Sequence, residues 1–311
     1  MLIQSLVEGE QEKKQIEKYK YFKQRSERIV KIYISADMEG ISGVATQMQL
    51  KKESEYQRFR HLMTADVNAA IEGAFEGGAT EVVVCDGHGN MSNILIEELD
   101  PRAELISGNN RVMCQLEGLD DSFDGLFLVG YHGREGGSER GVLNHTLAGG
   151  CIQEIRWNGC PMGEAEINAT VAGFYGVPAL LVTGDDVVAE EAGRLIPGIE
   201  TAVVKAGVDR FAARLMPPQK ARSLIREKAS AALQKREKIS PLAGEVPVTV
   251  DMDFSSTNQA LMTTTMPGVE LIRPKTIRFT AGDCVTAYKW MWAAIIIGMA
   301  ASQGVLGNVN A

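Results

Sequence analysis

Several stretches of the chain are almost continuously apolar and rich in β-branched residues: 29–34, 81–85, 125–130 and 178–183. Runs of this kind predict strands, and the near-continuous ones predict strands covered on both faces, as in a parallel sheet. Between them the period changes. Tyr56, Phe59, Leu62, Met63, Val67, Ala70, Ile71 and Ala74 predict a helix over 53–77, ended by Gly77-Gly78. Ala165, Ile167, Ala169, Val171 and Ala172 predict another over 164–174, and residues 92–99 predict a short one. Residues 152–157 and 160–162 flank Asn158-Gly159, a strong hairpin signal, in which Pro161 confines the second arm to an edge. A short helix and a strand at 201–205 follow.

Beyond residue 206 the pattern differs. It predicts a basic amphipathic helix over 217–238, an alternating strand over 246–253 and a small helix near 256–262. One or two strands over 269–279 and a last helix from about 283 complete the chain. The expected fold class is α/β, with a doubly wound, mostly parallel sheet and a second, smaller α+β domain. Residues 1–28 are expected to be an exposed or disordered extension, 29–206 the main domain and 207–311 the smaller one. The hairpin at 150–162 is a candidate to pack with the smaller domain rather than the main one.

Composition narrows the class. The chain has 311 residues, 45% of them hydrophobic and 23% charged, which is ordinary for a soluble enzyme. A formal net charge of -8 argues against a general nucleic-acid surface. Five scattered cysteines are no disulfide framework and point to free thiols in a reducing cytoplasm. The charged run after the first apolar residues is the wrong order for a signal peptide. The segment 290–301 is too short to span a bilayer and reads as a buried helix.

The chemistry gathers where the inner strands end. Asp37 and Glu39 follow the first, Asp86 and His88 the second, His132 the third, and Asp185 and Asp186 the fourth. In an open parallel sheet these ends share one edge, where ligands bind. The helix opening at Glu164 is expected to start near the same rim. Of four histidines, His88, His132 and His145 fall within or just after these ends, whereas His61 reads as a surface residue. Carboxylates and imidazoles suit Zn²⁺, and less well Mn²⁺ or Co²⁺. Five such ligands suffice for two metals sharing a carboxylate.

In order along the chain, Ser-Ala-Asp37-Met-Glu39-Gly-Ile-Ser-Gly, Asp86-Gly-His88, Gly-Tyr-His132, Asn-His145-Thr, Gly-Glu164 and Gly-Asp185-Asp186 resemble the dipeptide-transport-operon D-aminopeptidases, peptidase family M55. The resemblance runs from about Ile29 to the last helix. It implies a two-zinc aminopeptidase acting on short peptides, with N-terminal D-residues such as D-Ala, and a ring-like homodecamer. Carried over residue by residue, Asp37, Glu39, His88, His132 and Glu164 match the family's zinc ligands, with Asp37 as the bridge. His145 matches its catalytic residue, as nucleophile or acid/base. Asp185, Asp186 and Asp86 are expected around the ligands or the substrate, with capping of the next helix as the other role for Asp185 and Asp186. The extension 1–28 and the charged loop 134–140 depart from the family pattern. The rival reading is a non-catalytic metal- or peptide-binding protein of peptide uptake. A third reading, a doubly wound nucleotide-binding protein, ranks below both because Gly87-His88-Gly89 lacks the phosphate-turn pattern.

Overall fold

The computed structural model describes residues 29–302; the expected N-terminal extension lies outside the described residues. Seven strands form the main sheet: β1 (Lys31–Ala36), β2 (Glu81–Asp86), β3 (Ala103–Ile106), β4 (Gly125–Tyr131), β7 (Ala179–Asp185), β8 (Glu200–Asp209) and β9 (Ala212–Leu215). Their order is β3-β2-β1-β4-β7-β8-β9. All neighbours are parallel except β8 and β9. The expected fold class therefore holds. β4 and β7 are buried along their whole lengths, which explains their unbroken apolar sequences.

Strand order reverses between β1 and β4. From β1 the chain steps outward to β2 and β3, then returns to the other side of β1. Crossovers on opposite sides leave a crevice beyond the C-terminal ends of these two strands. Asp37 follows β1 and His132 follows β4 at that crevice. The strand-end loops pack backbone against backbone there: the Asp37 N–H donates to the Val129 carbonyl and the Gly40 N–H to the Gly130 carbonyl, both at 2.8 Å. A Cβ at Gly40 would collide with the backbone of Gly130 and Tyr131, and Gly130 itself has φ +79°. Both positions need glycine for the loops to meet.

Seven α-helices are described: α1 (Met48–Lys51), α2 (Glu53–Gly77), α3 (Glu164–Phe174), α4 (Asp186–Leu195), α5 (Pro218–Gln234), α6 (Thr257–Thr263) and α7 (Cys284–Ser302). Gly78 ends α2 in the left-handed conformation, its N–H returning to the Ala74 and Phe75 carbonyls. α5 packs against α2 and β8, so the basic helix stays with the parallel sheet.

The second sheet is antiparallel, with order β11-β12-β10-β5-β6. Its strands are β5 (Ile152–Trp157), β6 (Cys160–Pro161), β10 (Val248–Phe254), β11 (Glu270–Arg273) and β12 (Thr276–Ala281). The hairpin forms, and β5 pairs with β10. Cross-strand charge helps set the register: Asp251 stands opposite Arg156 on one side and Arg278 on the other. The hairpin runs straight into α3, so it delivers the start of that helix to the crevice.

α7 is long and apolar enough, by length and composition, to cross a membrane. Cys284, Ala287, Tyr288, Met291, Ala294, Ile295, Gly298 and Ala301 form one buried stripe at helical spacing, the pattern of a core helix.

The short helix expected over 92–99 does not form. Asp86 accepts the Asn93 and Ile94 N–H groups at 2.5 and 2.8 Å, and Asn93 Nδ2 donates to the His88 carbonyl at 2.6 Å. These donors serve the strand end, not a helical ladder, and the segment is a series of turns. β3, β9 and α1 are short elements that the hydrophobic pattern did not mark.

Candidate metal centre

Six side chains meet in the crevice. Asp37, Glu39 and His88 present ligand atoms to one point, and His132, His145 and Glu164 to a second. Asp37 reaches both groups: Oδ1 lies 3.3 Å from His88 Nδ1 and Oδ2 lies 3.3 Å from His132 Nε2. His132 Nε2 is also 3.5 Å from Glu164 Oε1. His145 Nε2 stands 3.9 Å from Glu39 Oε1 and 3.8 Å from Glu164 Oε1.

Two of the three imidazoles, His132 and His145, are oriented through Nδ1. His132 Nδ1–H donates to the Gly133 carbonyl at 3.0 Å, and His145 Nδ1–H to the Leu143 carbonyl at 2.9 Å. Each ring thus turns its Nε2 toward the carboxylates, as metal-binding histidines do. Local backbone geometry aims them. Leu143 and Leu147, on either side of His145, have positive φ, as do Met91 after His88 and Cys114 before Gln115. Four of the six non-glycine residues of this kind among the described residues therefore flank the site. Conformations this rare for side-chain-bearing residues collect where function over-determines them.

The donor set fits a divalent cation. Asp37 Oδ2 and His132 Nε2 are buried and lack a hydrogen-bond partner, although they lie within 3.3 Å of each other. They face a shared point and not each other. Two ligands of a tetrahedral zinc, at bonds of ~2.0–2.1 Å, stand ~3.3 Å apart. The 3.3 and 3.5 Å spacings match this, while the 2.8 Å contact of His88 Nδ1 with Glu39 Oε2 is a hydrogen bond that a metal would replace. Burial works to raise the Asp37 carboxyl, but the His132 and His88 imidazoles outweigh it and hold it well below the usual range. In return, burial works to lower the His132 pKa and the carboxylates Asp37 and Glu164 raise it to about 10. Metal binding at these nitrogens must displace protons.

A polar network stands behind the ligands. Gln115 Nε2 donates to Glu164 Oε2 at 2.6 Å, and its Oε1 accepts from Asn168 Nδ2 at 2.7 Å. The Tyr131 hydroxyl shares a 2.6 Å hydrogen bond with Ser35 Oγ and accepts another from Asn168. Leu147 N–H fixes the other oxygen of Glu164 at 2.7 Å. On the opposite side the fully buried Lys205 donates to the Glu39 and Val44 carbonyls at 2.6 and 2.8 Å. Sequence reasoning did not single out Gln115, Tyr131, Asn168 or Lys205. For Lys205 a signal existed: a lysine within an inner strand is costly to bury without acceptors.

The flanking acids stand apart from the ligand atoms. Asp86 is consumed by Asn93 and Ile94, so it holds the loop that carries His88. Asp185 caps α4 through Val188 N–H and accepts Val142 N–H, both at 2.8 Å. Asp186 accepts from Arg140 at 2.6 Å and from Gly207 N–H at 2.8 Å. None of the three lines the cavity that opens on the site. That cavity, of about 300 Å³, has Glu39 and His145 in its wall together with Lys51 and Arg210. His61 lies elsewhere, exposed and paired with Glu98.

Fold and site together define an α/β protein whose switch-point crevice offers two joined carboxylate–imidazole donor sets to divalent metal. The profile of peptidase family M55, described as D-aminopeptidase, matches residues 30–293, and the chain belongs to that family. It is 40% identical over 275 residues to a D-aminopeptidase of Bacillus subtilis (strain 168), covering 88% of this chain and 99% of that one. A solved structure, the Zn-dependent D-aminopeptidase DppA from Bacillus subtilis, a self-compartmentalizing protease, superposes with a TM-score of 0.83 at 39% identity, over 87% of this chain and 98% of that one.

Proposed function

We propose that this chain is a zinc-dependent D-aminopeptidase that hydrolyses the N-terminal residue of short peptides. One observation carries the reading: the two oxygens of Asp37 face different histidines, His88 and His132, and so join two donor sets in one buried site. Asp37, Glu39, His88, His132 and Glu164 would hold two zinc ions, with Asp37 between them. Bound zinc would supply Lewis-acid chemistry toward a carbonyl and toward water.

The remaining work falls to the chain itself. His145 keeps its Nδ1 proton on Leu143 and is free to take or give one at Nε2, where the cavity opens. Gln115 and Leu147 N–H hold the Glu164 carboxylate from behind. Lys205 fixes the backbone of Glu39. The relatives' activity and the fixed tautomer of His145 support catalysis over the binding-protein rival.

That the solved relative is a self-compartmentalizing protease supports a homo-oligomer, and the family resemblance supports a decamer. Cysteines at 85, 114, 151, 160 and 284 are all free thiols, which supports a reducing, cytoplasmic setting. The test is zinc content together with a panel of D- and L-aminoacyl amides and dipeptides. Release of D-residues, lost on chelation, is expected; release of L-residues alone would refute the substrate reading.

A further inference from the structure

We infer that Lys51 and Arg210 form an anchor for the C-terminal carboxylate of the substrate, so that the pocket selects very short peptides with a free C-terminus. This rests on the aminopeptidase reading above and names its substrate class more closely. The cavity holds about 300 Å³, at the small end of the ~300–1,000 Å³ typical of ligand pockets. Its wall includes Glu39 and His145, so the scissile amide must lie against them. An extended residue advances at most ~3.6 Å, so a dipeptide's carboxylate falls within the same small cavity. A carboxylate there is costly to desolvate without a cation.

Two cations share that wall with Glu39 and His145. Lys51 lies on the exposed α1, hydrogen-bonded to the uncharged Gln47 at 3.3 Å, with no carboxylate partner among the described residues. Arg210 sits in the β8–β9 turn. Its two terminal nitrogens reach Glu135 at 3.2 and 3.4 Å, while its buried Nε has no partner. One carboxylate, Glu135, against two cations leaves the pair with one uncompensated positive charge, while the unpartnered Arg210 Nε keeps a donor to offer. A longer peptide, or one with an amidated end, would place no negative charge at this spot.

The discriminating measurement is the ratio of kcat/KM for D-alanyl-D-alanine to that for its C-terminal amide, in the zinc-loaded parent and in Lys51→Met, Arg210→Met and Arg210→Lys. The parent is expected to favour the acid. Lys51→Met, at an exposed position, should lower the ratio roughly 3–5-fold. Arg210→Met, half-buried, should lower it ~10-fold or more, through KM, with Arg210→Lys recovering part. An unchanged ratio in both methionine variants would overturn the anchor. Should the parent hydrolyse neither peptide, the aminopeptidase reading fails first. Calorimetric binding of the same acid and amide then decides the anchor by itself: a parent that binds both equally contradicts it, and an acid preference lost in Lys51→Met upholds it.

Discussion

The rings of His132 and His145 stack, with centroids 4.3 Å apart and planes 9° from parallel. Each ties Nδ1 to a backbone carbonyl and turns Nε2 toward Glu164. They differ in access: the His132 side chain is 1% exposed and that of His145 is 18%. The buried ring suits a ligand and the accessible ring a proton carrier. His145→Ala should therefore lower kcat by 10²–10⁴-fold, with zinc content as in the parent. Zinc analysis and turnover on one preparation check this. Zinc lost together with activity would make His145 a ligand.

Gln115 works through Glu164. Its 2.6 Å hydrogen bond holds the carboxylate oxygen that Leu147 N–H does not, and Asn168 holds Gln115. Gln115→Leu should weaken zinc affinity about 10–100-fold, the usual consequence of losing a group that orients a ligand. Competition with a chelator of known affinity measures it, and an affinity within a factor of two of the parent would remove Gln115 from the site.

Lys205→Met should cost on the order of 3 kcal/mol of stability, because two buried carbonyls, those of Glu39 and Val44, lose their donor. Burial already pushes the lysine down to about 8, against the pull of Asp185 and Asp66. Urea unfolding of the metal-free protein reads the loss. A variant as stable as the parent would show that the Asp37–Val44 loop holds itself.

Glu191 gives a pH signature away from the ligands. Burial, then the neighbouring Glu166, raises its carboxyl to about 7 from an ordinary 4.5, against the Arg134 N–H and charge. Below 4.5 it is protonated in both states. Between 4.5 and 7 the unfolded chain ionises first, so stability falls as pH rises through that window, by up to about 3 kcal/mol. Glu191→Gln keeps an acceptor for Arg134 N–H and should flatten this fall, leaving the variant more stable than the parent at pH 8. Thermal unfolding at pH 5 and pH 8 decides it.

The unbroken runs at 81–85 and 125–130 were legible as inner strands because burial on both faces leaves no polar positions. The helix over 53–77 was legible to the residue, since Gly77-Gly78 permits the left-handed stop. The strand-end placement of Asp37, His88 and His132 followed from parallel topology alone. Residues 92–99 were misread because nothing local shows that Asp86 captures the Asn93 and Ile94 N–H groups. Gln115 was invisible for a similar reason. It lies in a 3₁₀ turn, Cys114–Leu116, between strands, and only the fold brings it to Glu164, 49 positions away.

Everything in the proposed chemistry depends on Asp37 serving two metals, and elemental analysis of the parent and Asp37→Ala after zinc loading tests this directly. Two zinc ions per chain are expected in the parent, and close to none in the variant, because both donor sets lose the carboxylate that joins them. A variant that keeps the parent's full zinc content would contradict the bridging role, as would a parent that binds no zinc.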